Sequence, residues 1–256
     1  MNTQQLFSLA GRTALITGGS RGIGRMMAEG FLAAGAKVYI TARKAAACEQ
    51  TARELSALGP CVALPLDVST PEGCQALAAA YAQHESQLDI LVNNAGAAWG
   101  APFDEFPEAG WDKVVDLNLK TPFFLTQTLA APLRAAAKQQ PAKVINIASI
   151  DGVSVNPMET YSYAASKAGL IHLTKRMSLR LIQDNIVVSA IAPGAFASDM
   201  NRDARDHADA VSQRIPAGRI GTPEDMAAAA IYLASRAGDY VVGATLVVDG
   251  GVTLAR

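Results

Sequence analysis

A tyrosine and a lysine four residues apart are the pair in this sequence best suited to proton-transfer chemistry. The segment Tyr161–Gly169 reads as the first turns of a helix, where Tyr163 and Lys167 share one face. Tyr161 lies six residues before Lys167 and points elsewhere, so Tyr163 is the predicted proton donor. A nearby ammonium favours the phenolate, so we expect the pKa of Tyr163 to fall from about 10 toward the working pH. Such a group gives a proton to a nascent alkoxide or takes one from an alcohol.

A glycine-rich turn, Thr17–Gly24, lies between a predicted strand and a predicted helix. One of its glycines permits a tight turn, one lets a phosphate approach the backbone, and one lets the helix pack closely on the strand. The helix N-terminus then offers free N–H groups to a pyrophosphate. The strand–turn–helix context favours a dinucleotide site over a plain tight turn. The predicted cofactor-binding residues of this turn are Gly18, Ser20, Arg21, Gly22, Ile23 and Gly24.

The segment after the second predicted strand indicates the form of the dinucleotide. NAD sites place an acid there, about 20 residues past the glycine turn. This chain has Thr41–Lys44 instead, without an acid, and Arg43 is suited to gripping a 2′-phosphate. Arg21 would add a second cation, and we therefore predict NADP(H); in the alternative interpretation both arginines are solvated surface groups. The oxidised nicotinamide ring of this cofactor would join the lysine in favouring the Tyr163 phenolate. Asp67, after the third strand, either bonds the adenine amino group or caps the turn before Ser69.

These motifs in this order resemble the short-chain dehydrogenase/reductase superfamily in its single-domain form, from roughly Leu9 to Gly251. The resemblance rests on Thr17–Gly24, Asp67-Val68, Asn93–Gly96, Asn118, Ser149, Tyr163, Lys167, Pro193-Gly194 and Asp249–Gly251. It implies an NADP(H)-dependent oxidoreductase in which a hydride passes from the nicotinamide to a carbonyl carbon and Tyr163 supplies the proton.

The resemblance also implies roles for residues that would otherwise read as ordinary turn or helix positions. Ser149 would hydrogen-bond the substrate oxygen and stabilise its developing charge. Asn118 would hold a water that links Lys167 to solvent, while the Lys167 ammonium also binds the nicotinamide ribose. Asn93 would steady the sheet. The remaining cofactor-binding residues that we predict are Asp67, Val68, Asn94, Ala95, Gly96, Pro193 and Gly194.

The segments Tyr163–Gly169 and Gly221–Asp225 are similar to the 3-oxoacyl-thioester reductases. Asn93–Gly100 and Ala192–Met200 are similar to the 3-oxoacyl reductases of rhamnolipid biosynthesis. Asp184 departs from the fatty-acid-synthesis reductases, which often carry an arginine there that meets the acidic carrier protein. Lys175, Arg176 and Arg180 on the same helix either substitute for it or form a solvated or subunit-facing surface.

We expect the substrate to be a small carbonyl or alcohol compound, with a 3-oxoacyl thioester or related β-keto compound favoured. The expected pocket walls look more apolar than a sugar site; they are Ala98, Trp99, Asp151–Met158, Phe196 and Met200, although the bulky ones also suit ordinary packing. Alternatives are a steroid, xenobiotic-ketone or polyol dehydrogenase with the same chemistry. A catalytically silent, cofactor-sensing regulator and a structural protein are disfavoured by the intact tyrosine, lysine and glycine turn.

Short β-branched runs alternate with longer alanine-rich stretches, as in βαβ units. The predicted strands are Thr13–Thr17, Lys37–Thr41, Cys61–Leu66, Ile90–Asn93, Lys143–Ala148, Ile186–Ala192 and Thr245–Val248. The predicted helices are Gly22–Ala34, Ala45–Leu58, Pro71–Ser86, Trp111–Lys138, Thr160–Gln183 and Pro223–Ser235. This pattern predicts an α/β fold with one Rossmann-type, doubly wound parallel sheet of seven strands and helices on both faces. We expect one domain over residues 1–256, with a substrate lid at about Gly194–Gly221.

Composition excludes several classes of protein. The 256 residues are 50% hydrophobic and 18% charged, with a net charge of −1, so no overall basic field attracts nucleic acid or an anionic membrane. The N-terminus lacks the pattern of a secretory signal, no run approaches the roughly 18 apolar residues of a spanning helix, and the three cysteines fit a reducing compartment. We expect a cytoplasmic protein without a catalytic metal, and a homo-oligomer, either tetramer or dimer, as is usual in the family.

Overall fold

A computed structural model describes residues 2–255 of the chain, and it confirms the predicted α/β class. One sheet contains seven parallel strands in the order β3-β2-β1-β4-β5-β6-β7. The strands are β1 (Thr13–Thr17), β2 (Lys37–Thr41), β3 (Cys61–Ala63), β4 (Ile90–Asn93), β5 (Ala142–Ile147), β6 (Ile186–Pro193) and β7 (Thr245–Val248). The strand order reverses between β1 and β4, and the crevice beyond the carboxyl ends at such a point is where ligands bind in these sheets.

Helices cover both faces of the sheet, which explains why the strands read as continuous apolar runs. The helices are α1 (Thr3–Phe7), α2 (Gly22–Ala33), α3 (Ala45–Leu55), α4 (Pro71–Ala82), α5 (Glu108–Val115), α6 (Thr121–Thr128), α7 (Ala130–Ala137), α8 (Tyr161–Leu181), α9 (Arg202–Asp206), α10 (Ala208–Ser212) and α11 (Pro223–Ala234). Ile16 of β1 belongs to the core beneath α2, α3 and α11, whereas the adjacent Leu15 belongs to the core beneath α4, α6, α7 and α8. Within residues 2–255, no helix is both long and apolar enough to cross a membrane.

The predicted helix Trp111–Lys138 is wrong as a single element. It is divided into α5, a π-helical turn at Asp116–Lys120, α6 and α7. Pro122 and Pro132 lack the amide proton that a continuing helix would use, and Leu129 leaves the helical region with φ −91° and ψ 9°. A π-helical turn often marks a functional position, and this one carries Asn118.

Several other predicted boundaries differ by one to four residues, among them those of the third strand and α4. The third strand ends at Ala63 rather than Leu66, because Pro65 has no N–H to continue the ladder after Leu64 bonds Ile40. Helix α4 ends at Ala82 rather than Ser86. Neither difference alters the sheet that positions the site.

The segment after β6, predicted as a lid at about Gly194–Gly221 and called the excursion after β6 below, contains the short helices α9 and α10. Its end returns to a position beside its start. Phe196 and Gly221 form an isolated parallel bridge near its two ends. A Cβ on Gly221 would lie 2.3 Å from the Phe196 ring, so this approach requires glycine. The segment is therefore a loop closed at its base.

Candidate active site

Ser149, Tyr163 and Lys167 meet where β5 ends beside the first turns of α8. Ser149 lies two residues past β5 and begins a short 3-10 turn, Ile150–Gly152, in which the Asp151 N–H donates to the Ser149 Oγ at 3.1 Å. This turn packs directly on α8, since a Cβ on Gly152 would lie 2.6 Å from the Lys167 carbonyl carbon. The sequence thus places a glycine where the turn must approach the helix to bring Ser149 to Tyr163.

The side chain of Tyr163 is half-buried and hydrogen-bonded to Ser149. Burial raises the pKa of Tyr163 to about 12, the Ser149 hydrogen bond opposes that rise, and the negative charge of Asp151 adds to it. Desolvation is the largest cause of this rise in the protein alone, and the expected fall in the presence of an oxidised nicotinamide ring stays a prediction. The phenol therefore holds its proton at neutral pH and is ready to donate it.

Lys167 is buried, with 5% of its surface exposed, and its Nζ donates to the Ile147 carbonyl at 2.7 Å. The ammonium lies 5.6 Å from the centroid of the Tyr163 ring. Burial lowers the pKa of Lys167 to about 8. The two side chains share one helix face, as their spacing predicts, and each is shifted by desolvation toward its neutral form.

Tyr161 points away from this group, as predicted. Its hydroxyl donates to Glu159 Oε1 at 3.1 Å, and its ring makes edge contacts with Phe103 and Phe106, each with centroids 5.7 Å apart. The sequence argument from the i, i+4 spacing therefore selects the tyrosine beside the lysine.

Asn118 is 1% exposed and joins the glycine loop after β4 to helix α8. Its Oδ1 accepts from the Ala97 N–H at 2.8 Å, and its Nδ2 donates to the Ala97 carbonyl at 2.9 Å and to Ser166 Oγ at 3.1 Å. Ser166 in turn donates to the Tyr163 carbonyl at 2.8 Å. These contacts make Asn118 a positioning residue for the tyrosine helix, and its role in holding a water stays a prediction.

The glycine turn is held by two residues from neighbouring strand ends. Thr17 Oγ1 accepts from the N–H groups of Asn94 and Ala95, both at 2.9 Å. Asn94 Nδ2 donates back to the carbonyls of Thr17 and Gly18 at 2.8 and 3.2 Å. The Asn94 amide thus supports the turn itself. Thr17 lies in the predicted motif, but this supporting role was not predicted. Its position as the last residue of β1 could have indicated the role.

Arg43 is exposed just past β2, where we predicted a 2′-phosphate contact. Arg21, the second cation of that prediction, pairs through its Nη1 with Asp199 Oδ2 at 2.6 Å, and its contact with a 2′-phosphate stays a prediction. Asp199 belongs to the excursion after β6 and also pairs with Arg205 at 2.7 Å. Arg21 therefore links the glycine turn to the predicted lid. Of these two arginines, Arg43 is the one that makes no described ion pair within residues 2–255.

The other predicted cofactor residues lie along the same crevice. Asp67 Oδ1 accepts from the Ser69 N–H at 3.0 Å, as in the turn-capping interpretation, and Val68 is buried in the core. Pro193 ends β6, and a Cβ on Gly194 would lie 2.7 Å from Asp249 Cα. Gly96 faces the catalytic group, because a Cβ there would lie 3.2 Å from Asn118 Oδ1 and 3.8 Å from Lys167 Nζ.

The crevice fits a dinucleotide. Gly18 and Gly22 adopt positive φ of 66° and 52°, and a Cβ on Gly24 would lie 2.3 Å from the Gly18 carbonyl oxygen. Helix α2 has no side-chain cap at its N-terminus and no acid in its first turn, so its N–H groups and dipole can bind an anion. The glycine turn would hold the pyrophosphate, while Lys167 lies at the opposite end of the crevice.

Comparisons with known proteins agree with this geometry. Residues 18–253 match the family described as enoyl-(acyl carrier protein) reductase. The rhamnolipids biosynthesis 3-oxoacyl-[acyl-carrier-protein] reductase of Pseudomonas aeruginosa is 48% identical over 97% of this chain and 98% of that protein. The 2-dehydro-3-deoxy-D-gluconate 5-dehydrogenase of Dickeya dadantii is 38% identical over 96% of each. The solved RhlG/NADP active-site complex of Pseudomonas aeruginosa aligns with a TM-score of 0.94 and 48% identity, covering 99% of this chain and 100% of that one.

Proposed function

The chain belongs to the short-chain dehydrogenase/reductase superfamily, and from that premise we propose that it is an NADPH-dependent reductase of 3-oxoacyl thioesters or closely related β-keto compounds. The observation that carries the proposal is the Tyr163 phenol hydrogen-bonded to Ser149, with the Lys167 ammonium 5.6 Å from its ring centroid. A neutral phenol can donate its proton to the alkoxide that forms when a ketone is reduced, so the group suits the proposed reduction.

In the proposed reaction each residue has a separate task. Bound NADPH would supply the hydride to the carbonyl carbon. Ser149 would orient the ketone oxygen, and Tyr163 would transfer its phenolic proton to that oxygen as charge develops. The buried Lys167 would stabilise the phenolate that remains, because its ammonium lies 5.6 Å from the ring. Asn118 and Ser166 would hold α8 in the position that this transfer needs.

One observation favours the thioester substrate. The 48%-identical relative is a 3-oxoacyl reductase, whereas the sugar-acid dehydrogenase is 38% identical. The carrier is a separate matter, because Asp184 accepts from Arg134 at 2.9 Å and from Arg180 at 3.2 Å. That carboxylate neutralises the cations beside it, which disfavours the docking of an acidic carrier protein at this position.

A substrate screen tests the proposal. NADPH oxidation should be faster by at least about tenfold in kcat/KM with acetoacetyl-coenzyme A than with 5-keto-D-gluconate. A steroid ketone and an uncharged sugar ketone complete the set. Preference for the sugar acid would replace the proposed substrate class with that of the gluconate dehydrogenases. Failure to oxidise NADPH with any ketone would contradict reductase activity itself.

The cofactor is assigned to NADP(H), as is the case in the related RhlG/NADP complex, and Arg43 is proposed to read its 2′-phosphate. Arg43→Ala should lower kcat/KM for NADPH by about tenfold to a hundredfold, while kcat/KM for NADH changes less than about threefold. Arg53→Ala, which changes an exposed arginine on the nearby helix α3, is the matched control. Equal losses with both cofactors in Arg43→Ala would remove Arg43 from 2′-phosphate recognition.

A further inference from the structure

We propose that Asp151 is a specificity residue that repels substrates with a carboxylate next to the reacting ketone, so that the site selects neutral β-keto esters and thioesters. The proposal rests on the proposed function, since it takes Ser149 and Tyr163 as the groups that bind the ketone oxygen.

The position of Asp151 is fixed by the turn that also fixes Ser149. Its N–H donates to Ser149 Oγ at 3.1 Å, and the next residue, Gly152, contacts the backbone of α8 at Lys167. The backbone of Asp151 is therefore fixed relative to Ser149. Its side chain is half-exposed, so the carboxylate is accessible to solvent, and it is close enough to the Tyr163 phenol to raise the pKa of that group.

The Asp151 carboxylate carries an uncompensated charge. Within residues 2–255 no hydrogen bond or ion pair engages this carboxylate, unlike Asp199 and Asp225, each of which pairs with an arginine. Its field reaches the Tyr163 phenol, whose pKa it helps to raise. The opposing cation on the same site, Lys167, is buried beneath the ring and bonded to Ile147. A substrate entering from solvent therefore meets the negative charge first.

The loop that follows Asp151 carries exposed apolar side chains. Val153, Val155 and Met158 are 44%, 100% and 65% exposed. Exposed apolar side chains in a loop that follows a site suit an uncharged aliphatic group better than a hydroxylated acid.

The consequence for substrate choice follows from distance. In a β-keto acid the carboxylate lies two bonds from the ketone carbon, so it stays within about one Debye length, about 8–10 Å, of a charge beside the ketone site. At a partly buried position like charges at that separation repel by enough to change affinity about tenfold or more. Esterification or thioesterification removes the charge while keeping the same carbon skeleton.

The experiment compares ethyl acetoacetate with acetoacetate, which differ in that charge. Dissociation constants are measured for both ketones on protein saturated with NADP⁺, where no hydride is available, and kcat/KM is measured with NADPH. The unmodified protein should favour the ester by about tenfold or more, and Asp151→Asn should reduce this ester-to-acid ratio by about tenfold in both measurements. Glu49→Gln, which removes one exposed charge from α3, is the matched control and should leave the ratio unchanged.

Each result decides the matter. An ester-to-acid ratio that Asp151→Asn leaves within about twofold, or that Glu49→Gln changes equally, overturns the proposal. Binding of neither ketone overturns it as well, because the site would not take small β-keto compounds. Acetoacetyl-coenzyme A is assayed separately. If it is not reduced while the ester-to-acid ratio responds to Asp151, the thioester substrate is refuted and the charge selection stands.

Discussion

Tyr163→Phe is expected to lower kcat for ketone reduction by about a thousandfold, the size of a typical general-acid contribution. The substitution removes the hydroxyl and keeps the ring. The ring is half-buried with the Lys167 ammonium 5.6 Å from its centroid, so the packing of α8 should persist. The lost hydroxyl is the side-chain group that hydrogen-bonds Ser149. Binding of NADPH should stay within about threefold of the unmodified protein, because the glycine turn and Arg43 are untouched.

Single-turnover hydride transfer and NADPH fluorescence titration measure these two quantities. Tyr161→Phe is the matched control, since the same atom is removed two residues away, where the hydroxyl bonds Glu159. The control should retain full activity. A Tyr163→Phe protein with near-normal kcat would show that the proton comes from elsewhere, and the assignment of the site would be withdrawn.

The parts of the fold that the sequence predicts are those encoded by local periodicity. Seven buried strands, the glycine turn and the i, i+4 tyrosine–lysine pair are all contiguous patterns, and the structure has them at nearly the predicted residues. The division of Trp111–Lys138 is different, because its apolar pattern continues through the π-helical turn that the tertiary fold imposes at Asn118. Periodicity does not reveal such a break.

Ion pairs between residues that are distant in the chain also could not be predicted from the sequence. Arg21 and Asp199 are 178 residues apart, and their ion pair depends on how the excursion after β6 folds back over the glycine turn. The environment of the Tyr163 phenol in the protein alone was not visible in the sequence for a similar reason. The lysine could be seen there, whereas the burial and the charge of Asp151 that raise the pKa of Tyr163 required the assembled turn at Ile150–Gly152.

Lys167→Met is expected to lower kcat by about a hundredfold or more while making the protein more stable at neutral pH. The ammonium is 5% exposed and has one described hydrogen bond, to Ile147, so its burial is costly. Methionine occupies a similar volume without a charge. The gain in the free energy of unfolding at pH 7 should be about 1–3 kcal/mol, the desolvation cost less the lost hydrogen bond.

The pH dependence separates this cause from a simple packing effect. The pKa of Lys167 is about 8 in the folded chain and about 10.4 in the unfolded chain. Between these values the unfolded chain binds more protons, so this group makes the unmodified protein more stable as pH rises from 8 to about 10. The stability advantage of Lys167→Met should therefore shrink across that interval. The buried cysteines, whose raised pKa values act in the opposite direction, are common to both proteins and cancel in the difference.

Urea unfolding of both proteins at pH 7 and pH 10, without cofactor, measures the two differences. The same cation should give the unmodified enzyme a fall in kcat/KM for reduction above about pH 8, which Lys167→Met would lack. A variant that is less stable at both pH values would mean that the bond to Ile147 outweighs desolvation. In that case Lys167 would stabilise the fold. We expect the reverse, namely that Lys167 lowers the stability of the folded chain. The burial of this cation beside one neutral partner would then be explained by its role in catalysis and not by folding.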